Sequence, residues 1–239
     1  MNVLGDLVDP DRGGDSVWIH RPGSRSRSWS GRQFCIDAWK AGNLLRHYGV
    51  HEGATVSLAD GTGENGTTPS PQALVALFGA WVLGASVRVD PPESPPGRAF
   101  VAPSDDIDQY QLRPETTALG YGTAPEDSTV VHFEEQRWSE NPVQFPATVE
   151  TDATALETDA GSFSHADLLA AGQQAVDEYD LDSVERVALS ASLDDPGVVV
   201  AGVIAPLLSG TAITLGGEAS LVVANREGEA VVRPDTVRL

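Results

Sequence analysis

The chain has 239 residues and a formal net charge of −20, from 35 acidic and 15 basic residues, and Lys40 is its only lysine. A chain of this length buries roughly 70–75% of its unfolded surface, enough for one large domain or two smaller ones. The acidic residues are spread along the whole chain, which predicts a solvated, halophile-type surface. Because duplex binding needs a basic footprint, the composition argues against nucleic acid as a partner.

Other composition features narrow the class of protein further. Cys35 is the single cysteine, so the sequence offers no disulfide framework and no cysteine zinc set, and its helical setting predicts a buried apolar role. The first nine residues are short and acidic, unlike a signal peptide. The most apolar run, residues 198–208, is too short to span a bilayer. We therefore expect a cytoplasmic protein with no membrane partner.

The first part of the chain alternates strands and helices. Residues 16–20 and 27–29 predict two strands, and Ser30 with Gln33 three residues later predicts a capped helix that ends at Gly49. Residues 55–58 predict a buried strand. Pro71 begins an apolar helix ending at Gly84, and residues 85–90 predict the next strand.

The second part repeats this order at offsets of about 126 to 134 residues, which we interpret as an internal repeat. The motif Ser28-Trp29-Ser30 has its counterpart in Ser162-Phe163-Ser164, and strand 187–189 corresponds to strand 56–58. Each copy predicts helix, strand, helix, strand, the unit of a parallel sheet. The predicted division is a first α/β subdomain over 1–150 and a second over 151–239.

The remaining segments are less regular. Residues 98–102, 129–133 and 144–150 predict short strands, and residues 105–110 predict a helical turn. Near the end, residues 220–225 and 229–233 predict a hairpin. Residues 91–128 as a whole give no clear structure, since four prolines interrupt them at the start.

Three stretches resemble the front half of the adenylate-forming superfamily, which comprises acyl-CoA synthetases, amino-acid-activating domains and luciferases. They cover residues 29–58, residues 74–91, ending Gly-Ala-Ser-Val-Arg-Val-Asp-Pro, and residues 164–215. The resemblance implies an α/β fold of two similar helix–strand–helix–strand layers with mostly parallel sheets, like the N-terminal domain of acetyl-CoA synthetase. That fold is also built from two similar layers, which agrees with the repeat.

The same resemblance places a phosphate-binding loop before His165, which is similar to the family's helix-start histidine. The family pattern is Thr-Ser-Gly-Thr-Thr-Gly-x-Pro-Lys-Gly; laid ungapped on residues 151–160, it matches only at Thr151 and Thr154. Ala153, Leu156 and Ala160 replace the three glycines, and Asp159 replaces the lysine. The degenerate phosphate-loop positions are Thr151, Asp152, Thr154, Asp159 and His165. This loss predicts no cofactor; ATP, AMP or CoA would bind only if the alignment were wrong.

A second candidate ligand loop follows the strand at 55–58, with Gly61, Thr62, Gly63 and Thr67 as its candidate residues. Such a loop can cradle an anion at the start of the next helix, but this one lacks lysine and contains Glu64, so a flexible surface loop is the simpler interpretation. The histidines are scattered and predict no metal site. Ser164, with Asp167 three residues on, predicts a helix cap rather than a nucleophile.

Three functions remain open from the sequence. The first is an acyl-CoA synthetase-like protein that is non-catalytic on its own and binds a protein partner or a small ligand. The second is one half of a split acid–thiol ligase completed by another polypeptide. The third is a structural or regulatory subunit of a homo-oligomer. A largely apolar pocket at the carboxyl ends of strands 55–58 and 187–191 would favour the first.

Overall fold

The computed structural model describes residues 1–23, 27–61, 68–225 and 231–239, which form a mixed α/β fold with helices against mostly parallel sheets. The strands of the described residues are β1 (Val17–Arg21), β2 (Arg27–Ser30), β3 (Thr55–Leu58), β4 (Ser86–Val89), β5 (Ala99–Pro103), β6 (Thr117–Tyr121), β7 (Val131–His132), β8 (Thr154–Thr158), β9 (Gly161–Ser164), β10 (Arg186–Leu189), β11 (Ala212–Leu215), β12 (Leu221–Val223) and β13 (Val231–Val232).

The helices of the described residues include two long amphipathic ones and a shorter apolar one. They are α1 (Pro10–Gly13), α2 (Gly31–His47), α3 (Pro71–Trp81), α4 (Phe133–Ser139), α5 (His165–Glu178), α6 (Pro196–Val199) and α7 (Ala205–Ser209), with a π-helical turn (Val200–Ile204) joining the last two. Short 3₁₀ turns lie at Leu4–Leu7, Ser104–Gln109, Leu181–Ser183 and Pro234–Thr236. No helix in the described ranges is long and apolar enough to cross a membrane.

Two sheets organise the described strands, one in the order β13-β12-β10-β11-β1-β2 and the other in the order β7-β6-β5-β3-β4-β8-β9. In both, neighbouring strands run parallel except for the hairpin at one edge, β1–β2 or β8–β9. The central pairs β3–β4 and β10–β11 are parallel, as are their outer neighbours β5 and β12. Sheets of this kind keep both faces covered, which explains why most residues of the central strands are buried.

Each sheet takes its edge hairpin from the other part of the chain. The β1–β2 hairpin joins the sheet of β10 and β11, where Ile19 pairs with Ile213. The β8–β9 hairpin joins the sheet of β3 and β4, where Val87 pairs with Leu156. The sheets therefore do not follow the predicted division at residue 150, since a cut there would remove strands from both. The internal repeat stays a prediction.

Helices α2 and α3 pack closely through facing glycines. The Ser30 hydroxyl caps α2 by accepting from the Gln33 N–H at 3.2 Å, as predicted, although the Gln33 side chain donates to Asp37 at 3.0 Å. A Cβ on Gly42 would lie 3.0 Å from the Gly79 carbonyl oxygen. Any larger residue at Gly42 would therefore push the two helices apart.

Cys35 is buried, as expected, and burial raises the pKa of its thiol to about 12.

Three local predictions are wrong. Residues 129–133 form a strand only at Val131–His132, because Phe133 already begins α4. Residues 144–150 form no strand and pair with none of the described strands; Pro142 and Pro146 limit the donors that a ladder needs. The predicted hairpin after residue 220 is instead the parallel pair β12–β13. Residues 226–230, where the turn of the predicted hairpin falls, lie outside the described residues.

Candidate functional site

An acidic cleft of about 320 Å³ lies at the carboxyl ends of β3, β4 and β10. Asp60 follows β3, Asp90 follows β4, and Ser192 and Asp194 follow β10; Asp106 on the 3₁₀ turn after β5 closes the side. The carboxyl ends of parallel strands are the usual binding edge of α/β sheets. The cleft thus lies at the strand ends where the sequence analysis considered a pocket. That pocket was considered as largely apolar, whereas carboxylates line the cleft in the structure.

Asp60 connects the two sheets across this cleft. Its Oδ2 accepts a hydrogen bond from the Ser192 hydroxyl at 2.8 Å and from the Leu193 N–H at 2.7 Å, although more than 130 residues separate them. The side chain is buried, and the Ser70 N–H donates to the Asp60 carbonyl oxygen at 2.8 Å. Hydrogen bonds to a buried charged group are stronger than neutral ones, so Asp60 fixes how the loops after β3 and β10 meet.

The cleft is electrostatically negative. Burial raises the pKa of Asp90, and repulsion from Asp194, Asp159 and Asp60 raises it further. The pKa of Tyr110, also in the lining, is raised by burial and then by Asp90. Asp90 is one of two non-glycine residues with positive φ among the described residues, at 48°, which holds its backbone in a tight left-handed turn at the strand end. The site therefore disfavours additional negative charge.

The segment aligned with the phosphate loop is a β-hairpin, so the expectation of a ten-residue loop over 151–160 is wrong. Thr154 lies within β8, and only Asp159 and Ala160 connect β8 to β9, where Thr158 pairs with Gly161. The Ala160 N–H donates to the Thr158 hydroxyl at 3.1 Å. The physical reason is the sequence itself: Thr154–Thr158 has a β-branched threonine at each end and buried Ala155 and Leu156 between them, and it forms a strand beside β4.

The other predicted site residues lie in different surroundings. Thr151 and Asp152 are exposed at the turn before β8. Asp159 is exposed and forms an ion pair with Arg88 of β4. In the alternative loop, Gly61 lines the acidic cleft with φ of 63°, while Thr62, Gly63 and Thr67 lie outside the described residues. Of the described residues in the two predicted sets, only Gly61 lines the cleft, and Asp159 contributes charge from nearby.

His165 is a buried structural residue at the start of α5. Ser164 caps this helix in a reciprocal box with Asp167, as predicted. The His165 Nδ1 accepts from the Leu4 N–H at 3.3 Å, which ties the N-terminal turn Leu4–Leu7 to α5. Burial lowers the pKa of His165 to about 4, with Asp6 partly opposing this shift. The imidazole is therefore neutral near pH 7 and carries its hydrogen on Nε2.

His165 should make the fold sensitive to acid. Because its folded pKa is about 4 and its unfolded pKa about 6.5, its contribution is complete above pH 6.5 and is lost as pH falls towards 4. Between about pH 7 and pH 4.5 we expect this residue to account for about 2–3 kcal/mol of lost unfolding free energy. Urea denaturation of the wild type and of His165→Gln, which keeps an acceptor for Leu4 but does not titrate, measures the difference.

The matched control for this prediction is His47→Gln, since His47 is exposed on α2. It should retain the full acid sensitivity of the wild type, whereas His165→Gln should lose less stability on acidification. An unchanged pH dependence in His165→Gln would contradict the assignment of His165 as the titrating group.

The chemistry open to the acidic cleft follows from its groups. Carboxylates and one phenol provide acceptors and negative charge, and the described residues include no group of three or more His, Cys, Asp or Glu arranged to hold a metal ion.

Sequence analysis missed Asp60, Asp90 and Asp194 as site residues. Asp60 and Asp90 nevertheless follow predicted parallel strands closely, which is the pattern that could have found them.

Comparison with known proteins identifies the fold. No protein-family description matches the sequence, and no curated protein matches it either. Solved structures do match. The anthranilate CoA ligase AuaEII in complex with anthranoyl-AMP superposes with a TM-score of 0.73 at 19% identity, covering 91% of this chain and 45% of the ligase. The chain has the fold of the N-terminal part of acyl-CoA synthetases.

Two further structures support this fold. An acyl-CoA synthetase from Brucella canis matches with a TM-score of 0.67 at 15% identity, over 91% of this chain and 44% of its own. The N-terminal subdomain of NpsA from Klebsiella oxytoca, in complex with anthranilyl-AMSN, gives 0.67 at 13% identity over 96% of this chain and 55% of its own. The chain thus spans about half the length of these proteins, and the predicted α/β architecture is confirmed.

Proposed function

We propose that this acyl-CoA synthetase-like chain is non-catalytic on its own and binds a protein partner or a small uncharged or cationic ligand. The observation that carries the proposal is the hairpin turn Asp159–Ala160, which occupies the place that the sequence alignment assigned to a phosphate loop. A phosphate cradle needs several free backbone N–H groups and a nearby cation. Here the Ala160 N–H is already bonded to Thr158, and Arg88 is paired with Asp159.

The charge of the acidic cleft supports the same proposal. One carboxylate about 5 Å from a phosphate charge costs about 3 kcal/mol at an effective dielectric of 20. Asp60, Asp90 and Asp194 all line this cleft. Two such repulsions amount to about 6 kcal/mol, while a micromolar dissociation constant corresponds to about 8 kcal/mol in total. Even with half of this screened by salt, most of an ordinary affinity for a nucleotide would be lost.

One solved structure of the same fold contains a negatively charged ligand, which the cleft of this chain would repel. AuaEII was solved with anthranoyl-AMP, an adenylate whose phosphate is negatively charged. We infer that the present chain does not hold such a ligand, because carboxylates stand at the strand ends where its cleft opens. A ligand without negative charge, or a polypeptide that covers the cleft, is compatible with this lining.

Isothermal titration calorimetry with ATP–Mg, and pyrophosphate exchange with a panel of carboxylic acids, test the proposal in molar KCl. We expect no exchange above background and no ATP binding tighter than about millimolar, because the turn offers no free amide cradle and the cleft repels phosphate. Circular dichroism of the same samples verifies that the chain is folded during the assay.

A double variant provides the matched comparison. Asp90→Asn with Asp194→Asn removes two cleft charges and leaves the Asp60 bridge in place, so any residual nucleotide affinity should increase. Exchange well above background, or a low micromolar dissociation constant for the wild type, would contradict the proposal. The loop containing Gly61, Thr62, Gly63 and Thr67 would then be the first place to locate the phosphates.

A further inference from the structure

The end of α4 and the segment after it run alongside α2 and are held there by three side chains of that helix. Lys40 Nζ donates to the Trp138 carbonyl oxygen at 2.8 Å, and Asn43 Nδ2 donates to the carbonyl oxygens of Asn141 and Val143 at 2.9 and 2.8 Å. Further along, the Arg46 guanidinium lies 4.3 Å from the centroid of the Phe145 ring. These helix residues are spaced three apart, so they share one face, and the segment runs parallel to α2.

This segment leaves large apolar side chains exposed. Trp138 is 78% exposed, Val143 58% and Phe145 38%, and they account for half of the exposed large hydrophobic residues in the described part of the chain. We call the surface formed by Lys40, Arg46, Trp138, Val143 and Phe145 the α2 patch. Its exposed apolar area is on the order of 300 Å². Exposed tryptophan beside cations is the composition of interaction hot spots.

Within the described part of the chain, the two cations of the α2 patch contact a carbonyl oxygen and aromatic rings but no carboxylate. Among the described residues, Lys40 and Arg46 form no ion pair with any carboxylate, although acidic residues outnumber basic ones by more than two to one. Glu140, between Trp138 and Val143, likewise has no ion-pair partner in the described part. One face therefore presents charges of both signs without an ion-pair partner among the described residues. Glu140 follows Trp138, which Lys40 holds at the middle of α2, and Arg46 lies in the last turn of that helix.

We propose that the α2 patch binds a second copy of this chain about a two-fold axis that passes near Asn43. Such an axis reverses the helix direction in the second copy, so Arg46 of each chain meets Glu140 of the other. The exposed Trp138, Val143 and Phe145 then form a shared apolar centre. A two-fold interface requires a surface that is complementary to itself. A purely basic patch would repel its own copy, whereas a patch with charges of both signs can pair with it.

The size of the α2 patch sets the expected affinity. Two copies together would bury on the order of 600 Å² of apolar surface with a polar rim, which places the interface among small, transient ones. A dissociation constant in the micromolar range is therefore expected. The proposal uses residues outside the acidic cleft, so it stands whether or not the proposed function is correct.

Sedimentation velocity over about 1 to 500 μM protein tests the proposal, with the wild type expected to pass from monomer to dimer. Trp138→Ser should weaken dimerisation at least about tenfold, since it removes the most exposed anchor. The matched control is Val17→Ser, which removes an exposed apolar residue of β1 and should dimerise like the wild type. A wild type that stays monomeric, a Trp138→Ser variant that dimerises normally, or an equal loss in Val17→Ser overturns the proposal.

A charge exchange tests the two-fold geometry, in the lowest KCl that keeps the chain folded. Arg46→Glu and Glu140→Arg should each weaken the homodimer, because each places like charges opposite one another. An equimolar mixture of the two variants should dimerise about as tightly as the wild type, because the heterodimer restores both opposite-charge pairs. A mixture that associates no better than the separate variants would overturn the arrangement, as would a higher-order assembly that leaves Trp138 free.

Discussion

In about 0.05 M KCl the chain is expected to lose its cooperative fold, whereas in about 2 M KCl it should unfold in a single sharp transition at high temperature. The cause is the net charge of −20, whose self-repulsion opposes compaction when it is not screened. The Debye length falls from about 10 Å at 0.1 M to about 3 Å at 1 M salt. Repulsion of several kcal/mol is comparable with a total stability of about 5–15 kcal/mol. Circular dichroism melts across a KCl series measure the effect.

A charge-neutralised variant separates screening from general salting-out. Glu115, Glu126, Glu178 and Glu185 are exposed, and the structure shows no hydrogen bond or ion pair for their side chains with described residues. Changing all four to glutamine should shift the KCl requirement to clearly lower concentrations. Full and equal stability of the wild type at both salt concentrations would end the halophile interpretation, and an unshifted variant would assign the salt effect to another cause.

Replacing Asp60 by alanine is expected to lower the free energy of unfolding by about 2–4 kcal/mol. The variant loses acceptors for the Ser192 hydroxyl and the buried Leu193 N–H, which then has to remain unpaired. Relief of repulsion with Asp90 and Asp194 offsets part of this loss, so the estimate lies below that for a buried ion pair. Urea denaturation in molar KCl, followed by tryptophan fluorescence, measures the change.

The controls for Asp60→Ala distinguish the loss of the hydrogen bonds to Ser192 and Leu193 from the loss of a negative charge in the cleft. Asp194→Ala removes an exposed carboxylate of the same cleft and should change stability by less than about 0.5 kcal/mol. Asp60→Asn keeps one carbonyl acceptor and should lie between the wild type and Asp60→Ala. A double-mutant cycle of Asp60→Ala with Ser192→Ala should show clear coupling. If Asp60→Ala and Asp194→Ala were equally stable, the bridge would contribute nothing.

Much of the secondary structure was predictable because local chemistry fixes it. Ser30 and Ser164 cap helices with their hydroxyls, Pro71 begins an apolar helix, and residues 55–58 form β3 as predicted. The segment 144–150 failed because its alternating pattern says nothing about whether a partner strand is available. Its conformation depends on α2, where Asn43 holds two of the preceding carbonyls. The exchange of hairpins between the sheets has no local cause and was not predicted.

The candidate site was harder to predict than the fold. The sequence alignment directed attention to residues 151–160, but Thr154–Thr158 pairs with β4 and Gly161–Ser164, so no open loop remains there. The acidic cleft is formed by residues that follow three strands from different parts of the chain. These carboxylates add up to one negative site only because the two sheets bring them close together. The order of residues along the chain does not reveal that proximity. The contact of His165 with the Leu4 N–H could not be inferred from the sequence either.

The hairpin at the start of the chain has a consequence for how the protein is made. His20 of β1 lies beside Thr214 of β11 although 194 residues separate them. At a translation rate of about 5–20 residues per second, β1 leaves the ribosome roughly 10 to 40 seconds before its neighbour is synthesised. During that interval Trp18 and Ile19, both buried in the finished protein, lack β11 and have only β2 as a neighbouring strand. Nascent chains should therefore depend on chaperones until the last fifth of the sequence has emerged.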